Sequence, residues 1–478
     1  MTDPVTEAVT TSIWSHLLTV GGFLLAVFAI ARLISEKRQP GNTLAWLLGI
    51  VLVPYLGVPL FLMLGGRKIK QLAETKLRVA LRLPGAPRPA EETASLPAVR
   101  TIVANGGGEP VGGNTLKLLT DGQTAYVELI RCIREAEHSI HIATFILGRD
   151  EVGMEIVRLL AERARAGVRV RLLLDAFGCF MTSRGFVEPL RAAGGEVAKF
   201  MPVAMLSTRH SANLRNHRKI AVFDHCTAIV GGHNIARDYM GPKAWAKRFD
   251  DFGAVITGPA AALLNEVFLA DWAFASGDRV ENLNAEFPRE CPLAVGHGDL
   301  QVITSGPDVE GDPLYEGLVS MIQEAERSIW IITPYFIPDE VLQRSLLVKA
   351  RAGKDVTIIV PRHSNHAITD YARRQYLREL HAAGARIMHY TPRMLHAKAM
   401  IIDDKYAVFG SANFDLRSLF VNFEIGIASY TPAETAPIRQ WAGQLLENCE
   451  EHDPRQQRRN RVLGNIAEEI GRLLAPLL

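Results

Sequence analysis

Two segments of the chain place a lysine two residues after a histidine and an aspartate five further on. They are His217-x-Lys219-x4-Asp224 and His396-x-Lys398-x4-Asp403. Each is followed at matching offsets by small residues and an asparagine: Gly231, Gly232 and Asn234, then Gly410, Ser411 and Asn413. A single copy of such a pattern is weak, whereas two copies with shared offsets are strong. The apolar runs 220–223 and 399–402 read as strands, where residues two apart share a face, so each His points the same way as its Lys. Turns at Asp224-His225 and Asp403-Asp404-Lys405 return the chain through 227–230 and 406–409. The glycines and the asparagine thereby come back beside the histidine. Glycine permits close backbone approach there, and asparagine supplies a donor.

Two His, two Lys and two Asn converging across a pseudo-two-fold axis suit a phosphate diester. One His attacks phosphorus while the other protonates the leaving oxygen. Lys219, Lys398, Asn234, Asn413 and Ser411 place positive charge and donors around the oxygens that stay negative in the transition state. Asp251 (in Phe249-Asp-Asp-Phe252) and Glu424 (in Asn422-Phe-Glu424) lie at the mouths of apolar strands and suit orienting a histidine ring. Asp224 and Asp403 belong to the motif and are counted with the catalytic set, although a turn role competes evenly. No metal or other cofactor is called for, since a lysine beside each histidine repels a cation. His225, His233, His363, His366, His381 and His389 read as ordinary histidines.

The elements that must position these residues also come twice. Ile133-Arg-Glu-Ala-Glu-His-Ser-Ile140 matches Ile322-Gln-Glu-Ala-Glu-Arg-Ser-Ile329. Asp-Glu-Val at 150–152 and 339–341 opens a helix, and Ala-Arg-Ala-Gly at 164–167 and 350–353 closes it. Apolar strands follow both. Helices alternating with short apolar strands predict α/β layers with buried sheets. The expected lobes run over 119–280 and 281–450, and the first carries an insertion around 203–213.

Ahead of the lobes, 8–31 and 39–66 hold no Asp, Glu, Lys or Arg, and 44–64 is apolar throughout. Their lengths predict two membrane-crossing helices at about 13–34 and 44–65. Asp3 and Glu7, with no Lys or Arg before the first stretch, argue against a cleaved signal. The heavier basic flank after Gly66 predicts that the lobes stay in the cytoplasm. A Pro/Gly-rich linker is expected over 71–118 and a basic amphipathic tail over 451–478. Lys plus Arg (53) against Asp plus Glu (51) excludes a strongly basic nucleic-acid coat. The five scattered cysteines exclude a disulfide scaffold or a Cys-based zinc site.

The chain resembles the phospholipase D superfamily and, within it, the bacterial cardiolipin synthases. The resemblance rests on both His-x-Lys motifs and on Asn42-Thr-x-Ala-Trp46, Thr333-Pro-Tyr-Phe-x-Pro338, Asn213-Leu-Arg-Asn-His-Arg-Lys-Ile220 and Asn413-Phe-Asp-x-Arg-Ser418. It implies two phospholipase D-like α/β sandwich lobes with pseudo-two-fold symmetry behind a transmembrane helical hairpin. It also implies a multi-pass enzyme of the bacterial inner membrane that joins two phosphatidylglycerol molecules into cardiolipin and releases glycerol. By resemblance His217 is the nucleophile and His396 the acid, then the base. Anionic phospholipids are the implied partners, and nucleic acid is not. A hydrolytic phospholipase D, or transfer to a different alcohol, is the alternative.

Overall fold

The computed structural model describes residues 4–35, 40–64, 88–180, 182, 184–201, 214–285 and 295–453. The chain divides into two compact units, 1–67 with 203–213, and 68–202 with 214–478. The expected insertion at 203–213 and nearly all of the expected tail lie outside the described residues.

The first unit contains the helices Pro4–Ser35, Pro40–Leu52 and Pro54–Leu64. They bury Ala29, Leu33, Ile50, Val58 and Phe61 in a small cluster, with Trp46 edge-on to Phe61. This corrects the expected transmembrane hairpin: among the described residues no helix is long and apolar enough to cross a membrane. The second apolar stretch breaks at Val53, because Pro54 has no N–H and restricts the residue before it. Its two pieces are about 20 and 17 Å long, against ~30 Å of bilayer hydrocarbon. In the first helix the apolar part, 17–31, reaches only about 22 Å and follows Thr10, Thr11, Ser12, Ser15 and His16. The expected multi-pass inner-membrane placement, and the assignment of the lobes to one side of it, fall with the hairpin.

The second unit holds two tandem α/β domains. The first contributes β1 (Val111–Leu119), β2 (Ser139–Thr144), β3 (Arg169–Asp175), β4 (Glu196–Phe200), β5 (Ile220–Phe223), β6 (Thr227–Gly231) and β7 (Gly253–Thr257). The second contributes β8 (Gly298–Ser305), β9 (Ser328–Ile332), β10 (Phe336–Ile337), β11 (Asp355–Pro361) and β12 (Arg386–Tyr390). It continues with β13 (Ala399–Ile402), β14 (Tyr406–Gly410), β15 (Phe414–Asp415), β16 (Glu424–Ser429) and β17 (Cys449–Glu451). Among the described residues, all strands but the short β10–β15 pair join one 15-stranded sheet centred on β8 and β1. From β1 outward the order is β7-β6-β5-β2-β3-β4; from β8 it is β16-β14-β13-β9-β11-β12, with β17 added at the edge. The duplication read from the sequence is thus a repeat of strand order.

The repeated signals act locally as caps. Asp150 accepts the N–H groups of Val152 and Gly153 at 3.0 Å, and Asp339 that of Leu342 at 3.0 Å. These bonds satisfy orphan donors at the starts of the helices Glu151–Arg165 and Glu340–Arg351. Gly167 and Gly353 leave those helices at φ of +92° and +78°, where a Cβ would be strained. Ile140, Ile142 and Leu172 pack under the first set of helices, and Ile329, Ile331 and Ile358 under the second. A third cluster draws on both domains, joining Val222, Val230 and Ile256 to Ile332, Ile401 and Ile427. Each such side chain contributes roughly 1.5–3 kcal/mol by burial, so this shared core fixes the two domains against each other.

One further correction concerns the expected linker. The stretch read as linker supplies the central strand β1, whose Gly112, Gly113 and Asn114 hide the strand pattern. Cys226 is disulfide-bonded, while Cys132, Cys179 and Cys449 are free thiols.

Candidate active site

His217 and Lys219 stand at the entrance to β5, and His396 and Lys398 at the entrance to β13. Each strand is wholly buried and doubles back on its neighbour, Ile220 opposite Val230 and Ala399 opposite Phe409. The reversal needs left-handed backbone: Asp224 and His225 have φ of 47° and 64°, and Asp403 and Asp404 of 52° and 59°. Asp and Asn tolerate this region better than most residues.

The two motifs meet across the domain boundary, and the partners cross over. The His217 N–H donates to the Phe423 carbonyl at 2.9 Å, and the Phe423 N–H to the Arg215 carbonyl at 2.9 Å. Symmetrically, the His396 N–H donates to Asp250 at 2.7 Å, and the Asp250 N–H to Met394 at 2.8 Å. Each histidine is therefore laid against the carboxylate-bearing segment of the other domain. Glu424 receives the His217 Nδ1 proton at 2.9 Å and 3.1 Å to its two oxygens, and Asp251 receives that of His396 at 2.6 Å. An ionised carboxylate only accepts, so it favours the tautomer with Nδ1 protonated and Nε2 left for chemistry; at His396 the Lys398 ammonium also lies 2.8 Å from Nδ1. Phe145 packs edge-on to His217 at 5.0 Å, and Tyr239 edge-on to His396 at 5.1 Å.

The lysines are buried at 4% and 2% exposure. Lys219 donates to the His217 carbonyl at 2.7 Å, and Lys398 to the His396 carbonyl. Burial pushes Lys219 down to about 7 and Lys398 down to about 8, since desolvation penalises an ammonium. Burial likewise lowers His396 to about 3, with Lys398 repelling its charged form, and lowers His217 against the pull of Glu424. Burial alone would raise Asp251 and Glu424. The facing His396 and Lys398, and the facing His217, overcome it and hold both carboxyls below their ordinary range. Lys398 also bears on His217, and Lys219 on His396, so one positive field covers both rings.

The remaining motif residues are placed differently from one another. The Ser411 hydroxyl donates to Glu424 and accepts the Ile425 N–H at 3.0 Å. In the first domain a Cβ at Gly232 would fall 2.0 Å from the Asp251 carboxylate. Gly with Asp and Ser with Glu are thus two ways of filling one space. Asn234 accepts the Ile146 N–H at 3.1 Å and also bonds Tyr239, and the Asn413 amide bonds Asp415, so these donors are engaged by protein groups.

Asp224 and Asp403 are not brought to the histidines. Each accepts three successive backbone N–H groups, at 137–139 and at 326–328, at the far end of the strand. Seven residues of extended chain separate each from its histidine, about 20 Å. The conformation of the turn, not chemistry at the histidines, accounts for these aspartates.

One residue escaped the sequence reading. Arg218, fully buried between His217 and Lys219, pairs with Asp271 at 2.6 Å and Asp308 at 2.7 Å. It also donates to the Glu424 carbonyl at 3.1 Å, while Asn216 donates to Asp271 at 3.0 Å. The available signal was the middle residue of the motif, Arg218 in one copy and Ala397 in the other. Among the described residues no three His, Cys, Asp or Glu side chains are grouped as a metal ion would need.

Two family models match the chain. "Cardiolipin synthase, PLD-like domain" matches twice, at 129–272 and 318–446, and "Phospholipase_D-nuclease N-terminal" matches 24–66. A cardiolipin synthase of Geobacillus kaustophilus is 35% identical over 98% of this chain and 96% of its own length. Another, from Alkalihalophilus pseudofirmus, is 33% identical over 95% and 93%. In structure the chain is similar to a phosphatidylserine synthase of Haemophilus influenzae, with a TM-score of 0.61 over 80% of this chain and 100% of that one. At 16% identity this last likeness concerns the fold alone. On two copies of the domain and relatives matched along nearly their whole length, the chain belongs to the phospholipase D superfamily, closely related to the bacterial cardiolipin synthases.

Proposed function

We propose that the chain transfers a phosphatidyl group from one phosphatidylglycerol to a glycerol hydroxyl of another, forming cardiolipin and releasing glycerol. The observation that carries this reading is the reciprocal pair: two histidines, each with Nδ1 held by a carboxylate of the other domain, flanked by two buried lysines. The relatives that match the whole chain are cardiolipin synthases.

The reaction runs in two steps. His217 Nε2 attacks phosphorus, the bond to the glycerol oxygen breaks, and that oxygen takes a proton from His396 Nε2. The hydroxyl of the second lipid then gives its proton to His396 and attacks phosphorus, and the P–N bond breaks to regenerate neutral His217. Glu424 offsets the positive charge of the phosphorylated ring, as Asp251 does for His396 in its charged form. Lys219 and Lys398 hold the equatorial oxygens. Burial keeps His396 neutral at rest. Arrival of a phosphodiester anion favours its charged form, so substrate binding brings in the proton that the departing glycerol needs.

Product analysis tests the reading. Purified protein in phosphatidylglycerol micelles should yield cardiolipin and glycerol in equal amounts. Phosphatidic acid in place of cardiolipin would make water the acceptor and overturn it.

A further inference from the structure

The two domains differ sharply beside His396. Between Asn234 and Asp251 the first domain has six more residues than the second has between Asn413 and Glu424. The extra length forms a loop, 237–248, with Arg237, Lys243, Lys247 and Arg248 set against the single carboxylate of Asp238. The equivalent stretch of the second domain, 416–421, holds Arg417 as its only charged residue.

The loop is fastened to the second histidine at its base. Tyr239 packs on the His396 ring at 5.1 Å, and Phe249 lies 6.0 Å from it. The Phe249 N–H donates to the Asp238 carbonyl at 2.7 Å and Arg248 Nε to the Arg237 carbonyl at 3.3 Å, closing the loop. Lys243, Trp245 and Lys247 are exposed at its tip. The Arg237 guanidinium lies over the Trp245 ring at 4.9 Å from its centroid, which orients a planar, phosphate-binding group.

The chemistry asks for a second anion site. A lipid made by joining two phosphatidylglycerols carries two phosphates one glycerol apart, and the His and Lys pairs serve the one that reacts. In a displacement at phosphorus the incoming and leaving atoms lie roughly in line. With the phosphatidyl group on His217, the acceptor hydroxyl therefore approaches from the His396 side. The acceptor's own phosphate then lies one glycerol further out on that side, the side to which Tyr239 and Phe249 anchor the base of the loop. Exposed lysines usually serve solubility alone, but Arg248 is buried and Asp238 lies 4.0 Å from Arg237, so Lys243 and Lys247 leave the exposed tip of the loop one-sidedly positive.

We propose that loop 237–248 binds the phosphate of the acceptor phospholipid, through Lys243, Lys247 and the Trp245-braced Arg237. This rests on the phosphatidyl-transfer reading and adds the basis on which a charged lipid is chosen over water or a small alcohol. The test uses the full chain in phosphatidylglycerol micelles, with cardiolipin formation measured beside phosphatidylethanol formation when ethanol is the acceptor. For the Lys243→Ala/Lys247→Ala double variant, and for Arg237→Ala, cardiolipin formation should fall about tenfold through a raised KM for the acceptor, with phosphatidylethanol formation changed less than about twofold. Arginine at 243 and 247 should restore it. An equal fall with both acceptors, or no fall with either, overturns the proposal. If the unaltered chain makes phosphatidylethanol but no cardiolipin, the underlying reading fails and the loop assignment with it, a result distinct from either.

Discussion

The halves around His217 and His396 share a strand order and a motif but are wired differently. His217 is held by the longer carboxylate of Glu424, which Ser411 supports, and its neighbour Arg218 is clamped by Asp271 and Asp308. His396 is held by the shorter Asp251, in space left by Gly232, with Ala397 where the other copy has arginine. The side chain of His217 is 13% exposed and that of His396 6%. Duplication thus supplies a symmetric skeleton, and local substitutions make its two histidines unequal. Unequal histidines are what a two-step transfer needs, because one must bond phosphorus while the other only moves protons.

The largest effect that would break this comparison is at the rings themselves. His217→Ala should reduce turnover by about a thousandfold or more with the fold intact, since no phospho-enzyme can form. His396→Ala removes only the proton carrier. With a p-nitrophenyl phosphodiester, whose leaving group departs without an acid, it should still accumulate a labelled adduct. Mass spectrometry of a quenched digest places that adduct, and finding it on His396 in the unaltered protein would exchange the two roles.

A smaller effect sharpens the contrast at the middle residue of the motif. Arg218→Ala leaves Asp271 and Asp308 buried without their cation and should cost about 3–5 kcal/mol of stability, read by urea unfolding. Substituting Asn at 271 and 308 together with Met at 218 should recover part of the loss, because no charge is then stranded. A loss under about 1 kcal/mol would mean that the clamp does not distinguish the two halves.

The smallest effect concerns the lysines, which burial pushes down in both halves, to about 7 at Lys219 and to about 8 at Lys398. Both lie below the ordinary lysine value of 10.5. Between about pH 7 and 10.5 the unfolded chain therefore binds more protons than the folded one, so these groups add stability as pH rises and lose it as pH falls toward 7. Binding of an anionic substrate needs their charge and runs the other way. The value of kcat/KM should decline as pH rises through about 7 to 8, while resistance to unfolding gains from the same residues. An alkaline limb confined to pH 10 and above would show both lysines to be ordinary.

Much of this site was legible in the sequence because its determinants are local. A period of two puts His and Lys on one face of a strand, a turn brings the small residues back beside them, and repetition of the whole pattern announces a paired site. The capped helices and the duplicated α/β pattern were legible from the same short-range signals; the strand order was not. What the sequence could not assign was which carboxylate serves which histidine. Glu424 lies 207 residues from His217, and Asp251 lies 145 from His396. Only the topology of the two domains brings each to the other's ring. The aspartates of the motif stayed open between turn and chemistry for the converse reason: their spacing is fixed by a turn, and a turn position looks the same whatever lies at the other end of the strand. The apolar stretches near the N-terminus suggested membrane spans by composition, but Pro54 divides one and polar residues shorten the other. Composition counts apolar side chains; continuity of the backbone ladder decides how far a helix extends.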